Sequence, residues 1–232
     1  MKHPEIMIKI DRKLDQDLAW EFYSLPEIGG CNFWEERALK HHKKLLEINS
    51  VNSKKDFLNK YVLDFYESHT TEINKAQKEI IQNLDGKKEE FLLIVDKIFK
   101  KHPWPKKIFT GYLSIFDFCP RFLDSGEFQV FMYDNKSLQL FTIFHEMLHF
   151  MFYDFIKKEF SKDFKNVDTE KGKLWDLAEV FNAVIQDTDD FVELHGKIKN
   201  IGYPNHKDLI LRGKNLWESN PDIKSWIVEI IK

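Results

Sequence analysis

Three residues that can bind or use a metal ion lie close together in the sequence, in the pattern H-E-x-x-H. They are His145, Glu146 and His149, in the most apolar stretch of the chain. On an α-helix, residues four apart lie one turn above each other, so both imidazoles can face the same ion. The carboxylate of Glu146, beside the first histidine, can reach a water molecule on that ion and act as a general base. The spacing therefore predicts a zinc centre suited to hydrolysis.

The residues around this pattern indicate that its polar groups need a partner. Residues 138–152 are apolar on nearly every face, which predicts a helix in the protein interior. Burying imidazoles and a carboxylate is costly unless they are paired, and binding of a metal ion pairs them. The simpler alternative is a core helix whose histidines are only hydrogen-bonded.

A catalytic zinc ion also needs a third protein ligand and one position left open for water. A histidine six residues after His149 would suit one clan of metallopeptidases, but Phe155 stands there. The next strongly helical segment, residues 173–186, has apolar residues at the helical period and carries Glu179 in its middle. We predict Glu179 as the third ligand, and Asp176, one turn earlier, is the alternative.

Over residues 105–187 the chain resembles the gluzincin metallopeptidases. These proteins have an H-E-x-x-H helix followed by a second helix that supplies a glutamate. The resemblance implies that one Zn²⁺ is held by His145, His149 and Glu179, and that Glu146 is the general base.

One position departs from the pattern of many gluzincins. They carry an aspartate four residues after the glutamate ligand, and here that position is Ala183. Asp176 and Asn182 lie about one turn before and after Glu179 and would share its face, so either could hydrogen-bond a ligating imidazole. Either one of them takes the role of the missing aspartate, or the ligand lies one turn away.

The segment before the histidine helix is rich in β-branched and aromatic residues. Residues 107–117 and 127–134 therefore read as strands, joined by a loop or wide hairpin. The resemblance implies that the second strand is an edge strand, to which an extended peptide substrate can add by backbone pairing. It also implies a donor for the oxyanion of peptide hydrolysis after the glutamate helix, where Tyr203 and His206 are the candidates.

Signals for helices and strands elsewhere complete the prediction of the fold. We predict a further strand over 5–11 and helices over 14–23, 33–48, 54–83, 87–101, 206–218 and 221–231. His41 and His42 lie among lysines, which is typical of a solvated helix face. The fold class is therefore α+β and mostly helical, with a small mixed or antiparallel sheet packed on the buried zinc-binding helix and the glutamate helix.

The predicted organisation is one compact unit in three parts. Residues 1–104 would form a strand and a helical scaffold, residues 105–190 the catalytic core, and residues 191–232 the helices that complete the site. A chain of 232 residues with 43% hydrophobic content is long and apolar enough for such a core.

Composition also bounds the partners and the location. The net charge of −3 and the lack of a basic patch with interleaved aromatics argue against nucleic acid. No stretch reads as a secretory signal or a membrane span, so no membrane partner is expected. Cys31 and Cys119 are too few and too far apart for a disulfide framework. We therefore expect a cytoplasmic protein, and the sequence does not indicate its oligomeric state.

Three functional interpretations fit these observations. The first is a zinc-dependent peptidase that hydrolyses a peptide or protein substrate. The second is a regulatory protease of narrow specificity that acts on a dedicated protein partner. The third is a non-catalytic helical interaction protein with structural histidines. Zinc content separates the third from the other two, and a screen of peptide substrates separates the first from the second.

Overall fold

The computed structural model describes residues 2–25, 27, 31–164, 167–199 and 202–232. In this part of the chain the strands are β1 (Glu5–Ile10), β2 (Ile108–Ser114), β3 (Arg121–Phe122) and β4 (Glu127–Phe131). The α-helices are α1 (Arg12–Ser24), α2 (Leu39–His41), α3 (Lys54–Ser68), α4 (Thr70–Asp85), α5 (Lys88–Ile98), α6 (Lys136–Glu159), α7 (Lys173–Ile185), α8 (Asp189–His195), α9 (Lys207–Ser219) and α10 (Ile223–Ile230). The prediction of a mostly helical α+β fold is confirmed.

The chain divides into two compact units, each made of separate stretches of sequence. The sheet unit consists of Ile6–Asn83 and Ile108–Asn135, and the helical unit consists of Met1–Glu5, Leu84–Lys107 and Lys136–Lys232. The predicted boundaries after residues 104 and 190 do not coincide with this division. The H-E-x-x-H motif and the predicted glutamate helix both belong to the helical unit.

The small sheet is mixed, with the strand order β1-β2-β4-β3. Strands β2 and β4 run parallel, in a register that pairs Thr110 with Glu127 and Ser114 with Phe131. The short β3 pairs antiparallel with the start of β4. Parallel neighbours need a crossover of about a dozen residues, and β3 lies within the segment that connects β2 to β4. Of the two predicted connections, a loop or a wide hairpin, the hairpin is therefore wrong.

The strand order also corrects the prediction of a substrate-binding edge. Strand β4 lies between β2 and β3, so it is an inner strand of the sheet. Its backbone pairs with both neighbours over the first residues, and Gln129 N donates to Pro120 O beyond the end of β3, at 3.0 Å. Addition of a peptide to an edge at β4 is therefore not supported.

The predicted helix over 33–48 is broken at His42. A π-helical turn (Trp34–Ala38) and α2 precede this residue, and a 3₁₀ segment (Lys43–Ser50) follows it. The imidazole of His42 is buried rather than solvated: Nδ1 accepts from the Tyr61 hydroxyl at 2.8 Å, and Nε2 donates to Ile115 O at 2.7 Å. The backbone leaves the helical conformation at His42, where the side chain turns inward to make these two hydrogen bonds.

One buried carboxylate joins several elements of the sheet unit. Asp15, on α1, is 1% exposed and accepts hydrogen bonds from the hydroxyls of Tyr66 and Ser114 at 2.7 Å each. The backbone N of Ile115 and the side-chain amide of Gln129 also donate to it. Four donors satisfy the oxygens of this carboxylate, although burial still raises its pKa from 3.8 to about 6.

We expect Asp15 to make the stability of the protein fall as pH rises from about 4 to about 6. The raised pKa means that the folded state binds a proton in this range while the unfolded state does not, so deprotonation favours unfolding. The contribution is about 3 kcal/mol, at about 1.4 kcal/mol for each unit of pKa difference. Urea unfolding of the wild type and of Asp15→Asn at pH 4, 5, 6 and 7 measures it. Other groups titrate in both proteins, so the difference between their free energies of unfolding reports on Asp15. A difference that stays constant with pH would contradict the prediction.

The helical unit is organised around α6 and α7. Helix α6 is buried along most of its length, as the all-round apolar sequence predicts. It packs on α7 through stacked rings of Phe152 and Phe181, whose centroids are 4.7 Å apart, and on α5 through Phe91 and Phe144, at 4.3 Å. In the described ranges, neither α6 nor another helix is both long and apolar enough to cross a membrane. This packing fixes the two helices that carry the predicted metal ligands.

Candidate metal centre

The packing of α6 on α7 brings His145, His149 and Glu179 together. The Nε2 atoms of the two imidazoles are 3.0 Å apart. The carboxylate of Glu179 reaches both of them, with Oε2 at 3.3 Å from His145 Nε2 and Oε1 at 3.2 Å from His149 Nε2. Among the described residues, these three form the group of histidine, cysteine and acidic side chains that could hold a metal ion.

The spacing of the three donor atoms fits a zinc ion. Zn²⁺ binds imidazole nitrogen and carboxylate oxygen at about 2.0–2.2 Å, which places neighbouring ligands of a tetrahedral ion about 3.3–3.5 Å apart. The two nitrogens are 3.0 Å apart and each has a different oxygen of Glu179 at 3.2 or 3.3 Å, and one ligand atom from each residue lies within 4.8 Å of the other two. A set of two nitrogens and one oxygen is also the donor set of many catalytic zinc sites, which leave a fourth position for water. The residues present therefore fit the ion.

The orientation of His145 is set by a side chain that the sequence analysis missed. Gln186, just past the end of α7 and fully buried, donates from Nε2 to Phe141 O at 2.9 Å. Its Oε1 therefore faces His145 Nδ1, at 2.9 Å, and must accept the proton of that nitrogen. This fixes the tautomer in which His145 Nε2 has a free lone pair, the form that a metal ion requires. Gln186 lies seven residues after Glu179, two helical turns along the same face, and that spacing could have revealed it.

The electrostatics of the cluster favour an added positive charge. Burial opposes a charged His145, but the hydrogen bond and charge of Glu179 raise the pKa of this imidazole above its ordinary value. Burial likewise opposes ionisation of Glu179, yet the two imidazoles hold the pKa of its carboxyl well below the ordinary value. The carboxylate is therefore ionised at neutral pH, and either a proton or a metal ion can balance its charge.

The two polar residues that flank Glu179 on α7 do not act as predicted. Asn182 donates from Nδ2 to the backbone oxygen of His145, at 2.8 Å, so it fastens α7 to α6 rather than orienting an imidazole. Asp176, the alternative ligand, is paired with His206 instead: its Oδ1 lies 2.8 Å from His206 Nε2. The structure therefore brings Glu179 to the two histidines, and Asp176 to a different one.

The remaining predicted site residues are Glu146, which is next to a proposed ligand in the sequence, and Tyr203 and His206, which contact α7. Glu146 follows His145 on α6, is 5% exposed, and its charge acts on the imidazole of His145. Tyr203 and His206 pack against Trp175 on α7, with ring centroids 5.0 and 5.4 Å from the Trp175 ring. Trp175 lies one helical turn before Glu179, so these rings border the turn that precedes the third ligand.

We expect Gln186→Leu to weaken zinc binding about 10- to 100-fold, the usual effect of losing a residue that orients a ligating histidine. Leucine keeps the volume but cannot accept the Nδ1 proton of His145, so the tautomer is no longer fixed. Competition with a chromogenic chelator measures the affinity. Gln186→Glu retains an acceptor and is expected to bind zinc more tightly than the leucine variant. Equal affinities for the wild type and Gln186→Leu would show that Gln186 does not orient His145.

Comparisons of the chain with protein-family models, with curated proteins and with solved structures returned no match. No family is assigned on this basis, and the resemblance to the gluzincins stays a prediction from the motif.

Proposed function

We propose that this protein is a zinc-dependent peptidase, with the ion held by His145, His149 and Glu179. The observation that supports this most directly is the convergence of three side chains: the two imidazole nitrogens are 3.0 Å apart, and each lies 3.2 to 3.3 Å from one of the two oxygens of Glu179. Two further features agree with it: the tautomer of His145 is fixed for metal binding, and the buried carboxylate carries a charge that a cation balances. A proton shared with the histidines could balance the same charge, so the zinc content decides between a metal centre and a hydrogen-bonded core helix.

Glu146 is the proposed general base. It is buried beside a proposed ligand on α6, and a carboxylate there can take a proton from the attacking water and return it to the leaving amine. When bound, zinc would supply Lewis-acid polarisation of the peptide carbonyl and acidify the water. The role of Glu146 is then to move the proton between water and amine.

Of the two predicted donors to the carbonyl oxygen, Tyr203 and His206, we keep Tyr203. The Tyr203 hydroxyl can donate at neutral pH. His206 Nε2 donates to Asp176, so Nδ1 of the neutral ring carries no proton and accepts rather than donates. Replacement of Tyr203 by phenylalanine is therefore the simpler test of this role.

A specific observation favours the narrow-specificity form of the activity over a general one. The side chains of His149 and Glu179 are 0% and 4% exposed, and that of His145 is 18% exposed. The donor cluster is therefore largely closed to solvent. Such restricted access suits a dedicated peptide or protein partner.

The cytoplasm remains the proposed location, on the basis of the cysteine content.

Metal analysis and a peptide screen test the proposal together. Protein purified without added metal is expected to contain about one zinc per chain, to lose it to a strong chelator and to regain it from ZnCl₂. The zinc form should cleave a few members of a diverse peptide mixture, read by mass spectrometry, and the chelated form should cleave none. Zinc without cleavage of any peptide points to a dedicated protein substrate. Protein that does not bind zinc would refute the proposal and leave the histidines as structural residues.

A further inference from the structure

We infer that a cluster of side chains beside Glu179 is a subsite for a cationic group of the substrate, an ammonium or a guanidinium. The cluster consists of Trp175, Asp176, Tyr203 and His206 and is called here the cation subsite. The inference rests on the proposed function, because it assigns a substrate class to the same zinc site.

The cation subsite adjoins the third zinc ligand along α7. Trp175 and Asp176 lie four and three residues before Glu179, so they share its side of the helix, one turn away. Side chains on a helix lean toward its N-terminus, which brings the carboxylate of Glu179 toward this turn. A substrate group held at the cation subsite would therefore lie about one helical turn from the third zinc ligand.

The chemistry of the cluster favours a positive charge. The rings of Trp175 and Tyr203 are 5.0 Å apart and tilted by 56°, and both residues remain partly exposed. Aromatic faces attract ammonium and guanidinium groups, with tryptophan the strongest. The side chain of Asp176 is 41% exposed and adds a carboxylate beside them. Rings with a carboxylate at their side match a cationic ligand better than an apolar one.

His206 provides the second, independent indication of a ligand. It is 7% exposed, and within the described part of the chain its Nδ1 atom is buried without a hydrogen-bond partner. Its Nε2 atom is bonded to Asp176 Oδ1, and a carboxylate only accepts, so Nε2 carries a proton. In the neutral ring Nδ1 is then an acceptor, and a buried acceptor needs a donor. The N–H groups of an ammonium or guanidinium supply one.

Two sources of the cation are possible in a peptide: its N-terminal amine and a lysine or arginine side chain. Four matched peptides distinguish them, with lysine or the uncharged isostere norleucine at one position, and with a free or acetylated N-terminus. We expect the wild-type zinc enzyme to cleave the preferred cationic peptide with a kcat/KM at least about tenfold above that of the acetylated norleucine peptide. Cleavage of all four at the same rate would overturn the inference while the peptidase stands.

Variants assign the preference to the cluster. Asp176→Asn and Trp175→Leu should each reduce the preference for the cationic peptide to below about threefold, whatever happens to the overall rate. The ratio between peptides is the readout, because Asp176 also holds His206 and its loss could slow every reaction. Asp187→Asn, at the other end of α7 in an ion pair with Lys214, is the matched control and should keep the full preference. A preference retained in Asp176→Asn would contradict the inference.

Binding to the zinc-free protein gives a readout independent of hydrolysis. Calorimetric titration with lysinamide, N-acetyl-lysinamide, norleucinamide and N-acetyl-norleucinamide covers the same two sources of charge. The cationic amides of the preferred source should bind, the uncharged amide should not, and Asp176→Asn should weaken binding about tenfold. If the protein binds these amides in this way but is found not to bind zinc, the cation subsite is supported and the peptidase proposal is refuted. If no amide binds, but the protein holds zinc and cleaves peptides, the cation subsite is refuted and the peptidase proposal is supported.

Discussion

Replacement of Glu146 by glutamine is expected to abolish peptide hydrolysis while zinc stays bound. Glutamine has the same shape but cannot take up a proton, so the attacking water loses its base. General-base catalysis contributes about 10²- to 10⁴-fold to a rate, and kcat should fall by that factor. The zinc ligands are separate side chains, so the metal content should remain about one per chain. Single-turnover cleavage and elemental analysis of the same preparation measure both quantities.

A matched control makes this result specific to Glu146. Glu159→Gln makes the same chemical change at the exposed end of α6, where the carboxylate pairs with Lys224. Loss of an exposed ion pair has a small effect on stability, so activity should stay within about twofold of the wild type. Glu146→Gln protein that keeps zinc and more than a tenth of the activity would show that another group is the base.

The parts of the fold that sequence patterns predict well are those with strong local signals. Helices α6 and α7 are long and apolar, and both were predicted: α7 ends one residue before its predicted end, while α6 (Lys136–Glu159) extends seven residues past the predicted stretch 138–152. The relative direction of β2 and β4 has no such local signal, because a hairpin and a parallel pair can have the same alternation of residues. Only the path of the connecting segment decides between them, and β3 within it gives no pattern that sets its partner.

The helix predicted over 33–48 failed for a related reason. Its lysine-rich sequence indicates a solvated face, which is correct for most of the segment but not for His42. The contacts that draw His42 inward come from Tyr61 and Ile115, far away in the sequence. A local pattern cannot show that one polar residue among lysines has distant partners.

The candidate site also contains residues that local sequence predicts and one that it does not. His145, Glu146 and His149 follow from one short motif, and Glu179 follows from a carboxylate placed in an apolar helix. Gln186 escaped because a glutamine at the end of a helix is ordinary unless its partner across the helix pair is known.

The second large effect is expected on metal binding, from Glu179→Ala. This change removes one of three protein ligands, so zinc affinity should fall by more than about a thousandfold, beyond the 10- to 100-fold typical of supporting residues. The wild type should also gain stability from zinc, by about 2.7 kcal/mol when free zinc is 100 times the dissociation constant. Thermal unfolding with and without zinc should show this gain in the wild type but not in Glu179→Ala.

Two further variants decide how the result is read. Glu179→Gln keeps the side-chain volume but removes the charge that both imidazoles contact, so it should also lose zinc if the carboxylate is a ligand. Asp176→Ala removes the alternative ligand and should keep full zinc occupancy, because its carboxylate pairs with His206 instead. Full occupancy in Glu179→Ala together with loss in Asp176→Ala would move the ligand one turn along α7. In that case the zinc-bound site would differ from the arrangement of α6 and α7 described here, since it is Glu179 that reaches both histidines.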